Sequence, residues 1–193
     1  MGNLSSIAAE DARTDEALFW AAAHSDEEEL VVMIGRAGNV NHKMKEMDGA
    51  TPSIVAATEG ALECLKLLLA TSGCEVNRAD DFGLTPLHYA ARGGHADCVQ
   101  ALLAVGADPR RTARDGVTPA HMAVESDSVA CLLLLRGAGA SMDARQCEGV
   151  DVLHAARDAG ATECERLLLA DRGMREHEQQ PWDQSSAETA PLV

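Results

Sequence analysis

The sequence predicts an all-α array of stacked two-helix units, and three observations carry that expectation. Thr-Pro recurs at Thr51-Pro52, Thr85-Pro86 and Thr118-Pro119, in steps of 34 and 33 residues, and 33 more reach Asp151. A fixed period in this range marks a stack of supersecondary units, each too small to bury its apolar face alone. Each mark is followed by two apolar stretches separated by glycine. The composition agrees: 46% of residues are hydrophobic but only 3% aromatic, so the core is built from Ala, Leu, Val and Cys. Small apolar residues suit closely packed helices, whereas strands favour aromatic and β-branched residues.

Within a unit, Thr is a good N-cap and Pro fits the first helical turn, so Thr85-Pro86 opens a short helix through Ala91. These first helices stop near Gly60, Gly93-Gly94 and Gly160, where a tight turn needs a permissive backbone. A second helix follows with an i, i+1, i+4, i+5 apolar stripe: Cys64, Leu65, Leu68 and Leu69 in one unit, Cys98, Val99, Leu102 and Leu103 in the next. Turn residues come next, as at Gly106-Ala107-Asp108-Pro109 and Gly139-Ala140-Ser141, and an extended link leads to Asp-Gly and the following Thr-Pro.

The first and last units lack Thr-Pro. Counting 34 back from Thr51 gives Ala17, which makes residues 17–23 a first helix and Ser25-Asp26-Glu27-Glu28 a capping box for the second. At the far end Asp151 replaces Thr as the N-cap. Fourteen residues into each unit stand Val31, Leu65, Val99, Leu132 and then Glu165. A packed apolar position turning charged marks the last unit of the stack.

The phrase running from Asp81 through Thr85-Pro86-Leu87-His88-Tyr89-Ala90-Ala91 to Gly93-Gly94-His95 resembles the ankyrin repeat, close to its consensus. Asp115-Gly116-Val117-Thr118-Pro119-Ala120-His121 and Asp48-Gly49-Ala50-Thr51-Pro52 are similar but looser. The resemblance covers about four-fifths of the chain. It implies a solenoid of antiparallel helix pairs with hairpin loops along one edge, and a role in binding proteins, expected as an adaptor or scaffold or, alternatively, as a soluble inhibitor or assembly chaperone of a single partner. The expected organisation is an N-terminal segment 1–14, and an array 15–175 in five repeats near 15–47, 48–81, 82–114, 115–147 and 148–175. An acidic tail, 176–193, lacks apolar periodicity and is expected to be disordered.

Several functions are set aside. The net charge of −15 repels phosphate, so nucleic acid is not an expected partner. The longest apolar run, residues 130–135, is far short of the ~20 residues that span a bilayer. No export signal is evident, so the six cysteines are expected reduced and the location cytoplasmic. Cys64, Cys98, Cys131 and Cys164 share one phase, but packed helices lie ~8–10 Å apart, too far for equivalent positions to share a metal or a disulfide. They read as small packed side chains, and Cys74 and Cys147 as incidental thiols. In ankyrin repeats the histidine at the phase of His88, His121 and His154 bonds backbone or Thr groups between units. No phosphate loop, nucleophile elbow or metal-ligand pair is present, so neither an enzyme nor a cofactor or metal site is expected.

Met1-Gly2-Asn3-Leu4-Ser5-Ser6 matches the N-myristoylation pattern, with Gly2 as the acylated residue. The same residues also serve as an ordinary Ser-capped helix start. One acyl chain binds membranes only reversibly, and neither a basic cluster nor a nearby cysteine supplements it. The expectation is a peripheral, reversible contact with a membrane-bound partner as the second anchor.

Ankyrin domains bind through their loop tips and the inner face of the first helices. By phase the inner positions are Ala21, Val55, Tyr89, Met122 and Ala155, then His24, Thr58, Arg92, Glu125 and Asp158. The loops add Arg78, Arg111, Arg114 and Arg145 among other cations. The expected partner is a protein with an acidic patch, contacted by Arg78, Tyr89, Arg92, Arg111, Arg114, Met122, Glu125 and Arg145 on a monomeric chain; the arginines would serve equally to keep the edge soluble. Leu69 followed by Glu75-Val76-Asn77 resembles the asparagine-hydroxylation pattern of some ankyrin loops, which makes Asn77 a modification candidate.

Overall fold

A computed structural model describes residues 4–36, 39–147 and 149–178. They form five helix pairs: α1 (Leu4–Ala23) with α2 (Glu27–Gly35), α3 (Pro52–Glu59) with α4 (Leu62–Ala70), α5 (Pro86–Arg92) with α6 (Ala96–Ala104), α7 (Pro119–Glu125) with α8 (Val129–Gly137), and α9 (Val152–Ala159) with α10 (Thr162–Glu178). Odd-numbered helices pack on one another in sequence, as do even-numbered ones, which gives two helical layers. No strand occurs among the described residues. The fold is the all-α solenoid that the period predicts.

Side-chain caps set several of the helix starts. The Ile54 N–H donates to Thr51 Oγ1 at 3.3 Å, the Cys131 N–H to Ser128 Oγ at 3.3 Å and the His154 N–H to Asp151 Oδ1 at 2.9 Å. Each bond satisfies a donor that the first helical turn leaves orphaned. Gly60 and Gly160, both at φ 70°, end α3 and α9 in the left-handed conformation. Asp127, at φ 48°, takes that position after α7, and its carboxylate accepts from the Cys164 N–H at 2.9 Å. That bond holds the Asp127 carboxyl below its ordinary range and ties the fourth unit to the fifth.

The same backbone bond closes all five pairs. The N–H groups of Asp26, Ala61, His95, Ser128 and Ala161 donate to the carbonyls of Ala21, Ala56, Ala90, Ala123 and Ala156 at 2.8–3.2 Å. These acceptors are spaced 35, 34, 33 and 33 residues apart. The first step is therefore 35, not the 34 that counting back from Thr51 assumes. Its cause is local: five residues lie between the paired Met44 and Ala50, against three between Ala113 and Val117 in a 33-residue step, and the two extra residues make 35. The extra length is taken up by the 3-10 turn Lys45–Met47.

Expectations for the first unit change with that slip, and its first helix, expected over 17–23, begins at Leu4. Leu30, fully buried, occupies the packed position assigned to Val31, which is 52% exposed. Asp26, not Ser25, caps α2, accepting from the Glu29 N–H at 3.0 Å. Ser25 is instead the left-handed residue, at φ 57°. At the other end α10 runs on to Glu178, past Arg175, where the sequence places the end of the array.

The main core runs through all five units as a layer of Ala, Cys, Val and Leu, and Phe19, Ala50, Ile54 and Val55 form a second, smaller cluster. Cys64, Cys98, Cys131 and Cys164 are all buried within the main core beside Leu65, Leu68, Val99, Leu102, Leu132 and Leu135. Burial pushes the thiols up, Cys98 to about 11 and Cys164, with Asp127 adding to the effect, to about 12, which keeps them protonated and inert. The Thr-Pro threonines are buried with them. Thr85 N–H donates to His88 Nδ1 at 3.1 Å, and His88 Nε2 reaches the Val117 carbonyl of the next unit at 3.2 Å. His121 repeats the arrangement with Thr118 and Val150. In the last unit Asp151 replaces Thr, and a buried carboxylate needs a countercharge. Arg172 of α10 supplies it at 2.8 Å. Where a sixth unit would pack, Glu165 pairs with Arg157 at 2.8 Å.

Candidate partner-binding surface

The hairpins between units are joined into a ladder. Asp81 N–H donates to the Asp48 carbonyl at 2.8 Å, Arg114 N–H to Phe82 at 2.9 Å and Cys147 N–H to Asp115 at 2.9 Å. Below the tips a second set of bonds repeats. Asn41 Nδ2 donates to the Gly73 carbonyl at 2.7 Å, Asn77 Nδ2 to Gly106 at 3.3 Å and Arg110 Nε to Gly139 at 2.7 Å. Asn77 Oδ1 also accepts from the Asp108 N–H at 2.9 Å. Asn77 thus uses both ends of its amide to hold the next unit rather than its own loop.

The inner face carries Trp20, Val55, Tyr89, Met122 and Ala155 in equivalent places. Trp20 replaces Ala21 in that set because of the 35-residue first step: Trp20 is 58% exposed, whereas Ala21 is fully buried. By the same slip Ala23, not His24, stands in line with Thr58, Arg92, Glu125 and Asp158. His24 instead bonds back to the Trp20 carbonyl at 2.8 Å, its ring 5.5 Å from the indole.

Tyr89 is the fixed point of this face. Its hydroxyl donates to Asp80 Oδ2 at 2.7 Å, while Asp80 Oδ1 accepts from the N–H groups of Phe82 and Leu84 at 2.9 and 2.8 Å. Burial, and then the Asp80 carboxylate, push the Tyr89 hydroxyl well above its usual range, so it stays a donor. The ring borders two depressions. One is an open groove of about 260 Å³ floored by Ala50, Ile54 and Val55, with Met47 and Tyr89 as walls and Asp48, Thr58 and Glu59 completing it. The other is a shallow dip between Leu84, His88, Arg92 and Met122.

The expected contact residues fall into two groups. Arg78 is held by Glu75 at 2.9 Å, and Arg92 faces Glu125 at 3.5 Å. Those cations are partly neutralised by their own chain. Arg111, Arg114 and Arg145 are exposed and make no ion pair among the described residues. Phe82, 51% exposed, lies at the hairpin tip bonded to Arg114, and Met47, 47% exposed, at the preceding tip. Sequence reasoning did not single out Trp20, Phe82 or Met47. The available signal was chemical: in a chain with two Trp, two Phe and one Tyr, an aromatic at a loop tip is out of place unless it contacts something.

Other sites are quickly placed. Gly2 and the stretch 179–193, including Trp182, lie outside the described residues. No helix among the described residues is long and apolar enough to cross a membrane. No group of three or more His, Cys, Asp or Glu among them is arranged to hold a metal ion. Cys74 is half-buried beside Ser53 Oγ at 3.8 Å, and burial raises its thiol; Cys147 is exposed.

Paired helices, a hairpin ladder and a rigid inner face with exposed aromatics define a protein–protein interaction module. A family model described as ankyrin repeats (3 copies) matches residues 18–113 and 54–146, and the chain belongs to that family. Among curated relatives, it is 46% identical over 74 residues to zinc finger CCCH domain-containing protein 24 of Oryza sativa subsp. japonica, covering 36% of this chain and 10% of that protein. It is 34% identical over 91 residues to tyrosine-protein kinase Shark of Drosophila melanogaster, covering 47% of this chain and 10% of the kinase. It is 40% identical over 60 residues to human protein phosphatase 1 regulatory subunit 27, covering 31% of this chain and 38% of that protein. The chain thus spans only a minor part of each of these relatives, and the likeness lies in the repeats.

Proposed function

We propose that this chain is a non-enzymatic adaptor that binds an acidic protein segment across its inner face and loop edge. Arg111, Arg114 and Arg145 supply the charge, and Tyr89 and Met122 the apolar contact. The observation that carries this reading is Tyr89, fixed by Asp80 on the inner face, together with a loop edge on which the exposed Arg111, Arg114 and Arg145 make no ion pair among the described residues. An aromatic held in place loses little entropy on binding, and unpaired arginines need not first break a bond. The chain acts as a cytoplasmic monomer, tethered reversibly to a membrane face by N-myristoylation of Gly2, with a membrane-bound partner providing the second contact. Support for the lipid is the sequence Gly2-Asn3-Leu4-Ser5-Ser6 alone. Hydroxylation of Asn77 is a secondary proposal, and it would act on a side chain that couples two units.

A second reading is a soluble inhibitor or assembly chaperone of a single partner protein, and the likeness to human protein phosphatase 1 regulatory subunit 27 favours its soluble, regulatory form. Intact-mass measurement separates the two, since a soluble regulator needs no acyl group. Cells expressing the chain and its Gly2→Ala variant are fractionated, and co-purifying proteins compared. The adaptor reading expects a myristoyl mass on the parent chain and loss of its membrane fraction in the variant. An unmodified Gly2, or a membrane fraction indifferent to the substitution, removes the tether and leaves the soluble regulator.

A further inference from the structure

The groove beside Tyr89 differs in charge from the loop edge that follows it. Its rim carries Asp48 and Glu59, both exposed, and neither carboxylate makes a hydrogen bond or ion pair among the described residues. The cations of the adjoining hairpin leave them uncompensated: Lys43 is held by Asp81 at 3.1 Å, and Lys45 does not line the groove. The floor is apolar, formed by Ala50, Ile54 and Val55. The volume of about 260 Å³ corresponds to roughly nine waters at ~30 Å³ each, room for one long side chain but not for a folded element.

We infer that this groove takes the side chain of an arginine or lysine from an extended segment of a partner protein. The methylene stem lies on Val55 and Met47, and the cationic head sits between Asp48 and Glu59 with the Tyr89 ring as one wall. An apolar occupant would strip water from two carboxylates without replacing it, and an acidic one would be repelled. The chain's own residues 179–193 hold two acidic side chains and no Lys or Arg, so they do not match the groove.

This inference rests on the reading of the inner face as the binding surface, and it gives that surface a direction. The hairpin bearing Asp48 and the one bearing Arg111 and Arg114 are two units apart, about 20 Å at the usual helix spacing of ~10 Å. An extended chain covers that distance in about six residues. The partner segment therefore carries a basic residue over the groove, crosses Tyr89, and presents acidic residues about six positions away.

The test uses the full chain and a displayed library of random 12-residue peptides. Selected peptides should share an Arg or Lys about six positions from an Asp or Glu, and bind at least tenfold more weakly to the Asp48→Asn, Glu59→Gln double variant. These exposed, near-isosteric changes should leave the melting temperature unchanged, and circular dichroism checks this. Selected peptides without a basic residue, equal binding to the double variant, or a library yielding no binder would each overturn the assignment. So would self-association of the chain that the double variant abolishes, since the groove would then seat a second copy. The Arg111→Gln, Arg114→Gln variant separates the two proposals. Peptides weakened by it but not by the groove variant leave the adaptor surface standing and remove only the groove.

Discussion

Tyr89 and Asp80 are joined by a 2.7 Å hydrogen bond in which the phenol donates to a buried carboxylate. The other oxygen of that carboxylate takes two backbone N–H groups of the hairpin tip, so one residue fixes both the aromatic ring and the loop that carries Phe82. Tyr89→Phe keeps the ring but leaves one Asp80 oxygen short of a partner. The expected cost is about 1–3 kcal/mol, read as a lower urea midpoint with an unchanged m-value. A midpoint equal to that of the parent chain would show the bond to be structurally idle.

The 35-residue first step makes opposite claims about two neighbouring residues. Leu30→Ala should destabilise the chain by about 2–5 kcal/mol, as truncation of a fully buried leucine does. Val31→Ala, at a half-exposed position, should change stability by less than about 1 kcal/mol. Thermal unfolding of the two variants decides the register, and the reverse order of effects would restore the 34-residue step.

That register also shows how much was legible from the residues. Thr51, Thr85, Thr118 and Asp151 act as helix caps, so residue identity alone sets the phase of four units. The first unit has no such mark, and two extra residues in the hairpin between Met44 and Ala50 are invisible to a count taken backwards from Thr51. The slip carries through to the site: it places buried Ala21 on the inner face and misses Trp20. Charge pairing was illegible for another reason. Arg78 and Arg111 are alike as loop arginines; Arg78 is paired with Glu75 three residues before it, whereas Arg111 makes no ion pair among the described residues, and a nearby acidic residue in the sequence does not by itself show that a pair forms. The groove beside Tyr89 joins residues from a hairpin and two helices, a meeting that the period alone does not report.

Acid should weaken the stack through the histidines that bridge units. Burial lowers His88 to about 4, and His121 is lowered for the same reason. The unfolded chain, with histidine near ~6.5, binds protons that the folded chain refuses. The stabilising contribution is therefore complete above about pH 6.5 and is lost as pH falls from there toward 4. From His88 alone the loss by pH 5 should be about 2 kcal/mol. Urea unfolding at pH 7 and pH 5 should show it, and His88→Gln should flatten the slope. A slope unchanged in that variant would assign the acid sensitivity to other groups.

The inner face and its basic edge are the proposed place where a partner binds. The most direct measurement compares the proteins bound by the parent chain with those bound by the Arg111→Glu, Arg114→Glu variant, at matched folding and across a salt series. The account predicts that a specific partner held by the parent chain is lost from the variant, with weaker dependence of any residual binding on salt. The same partner retained at the same affinity and with the same salt dependence would contradict it.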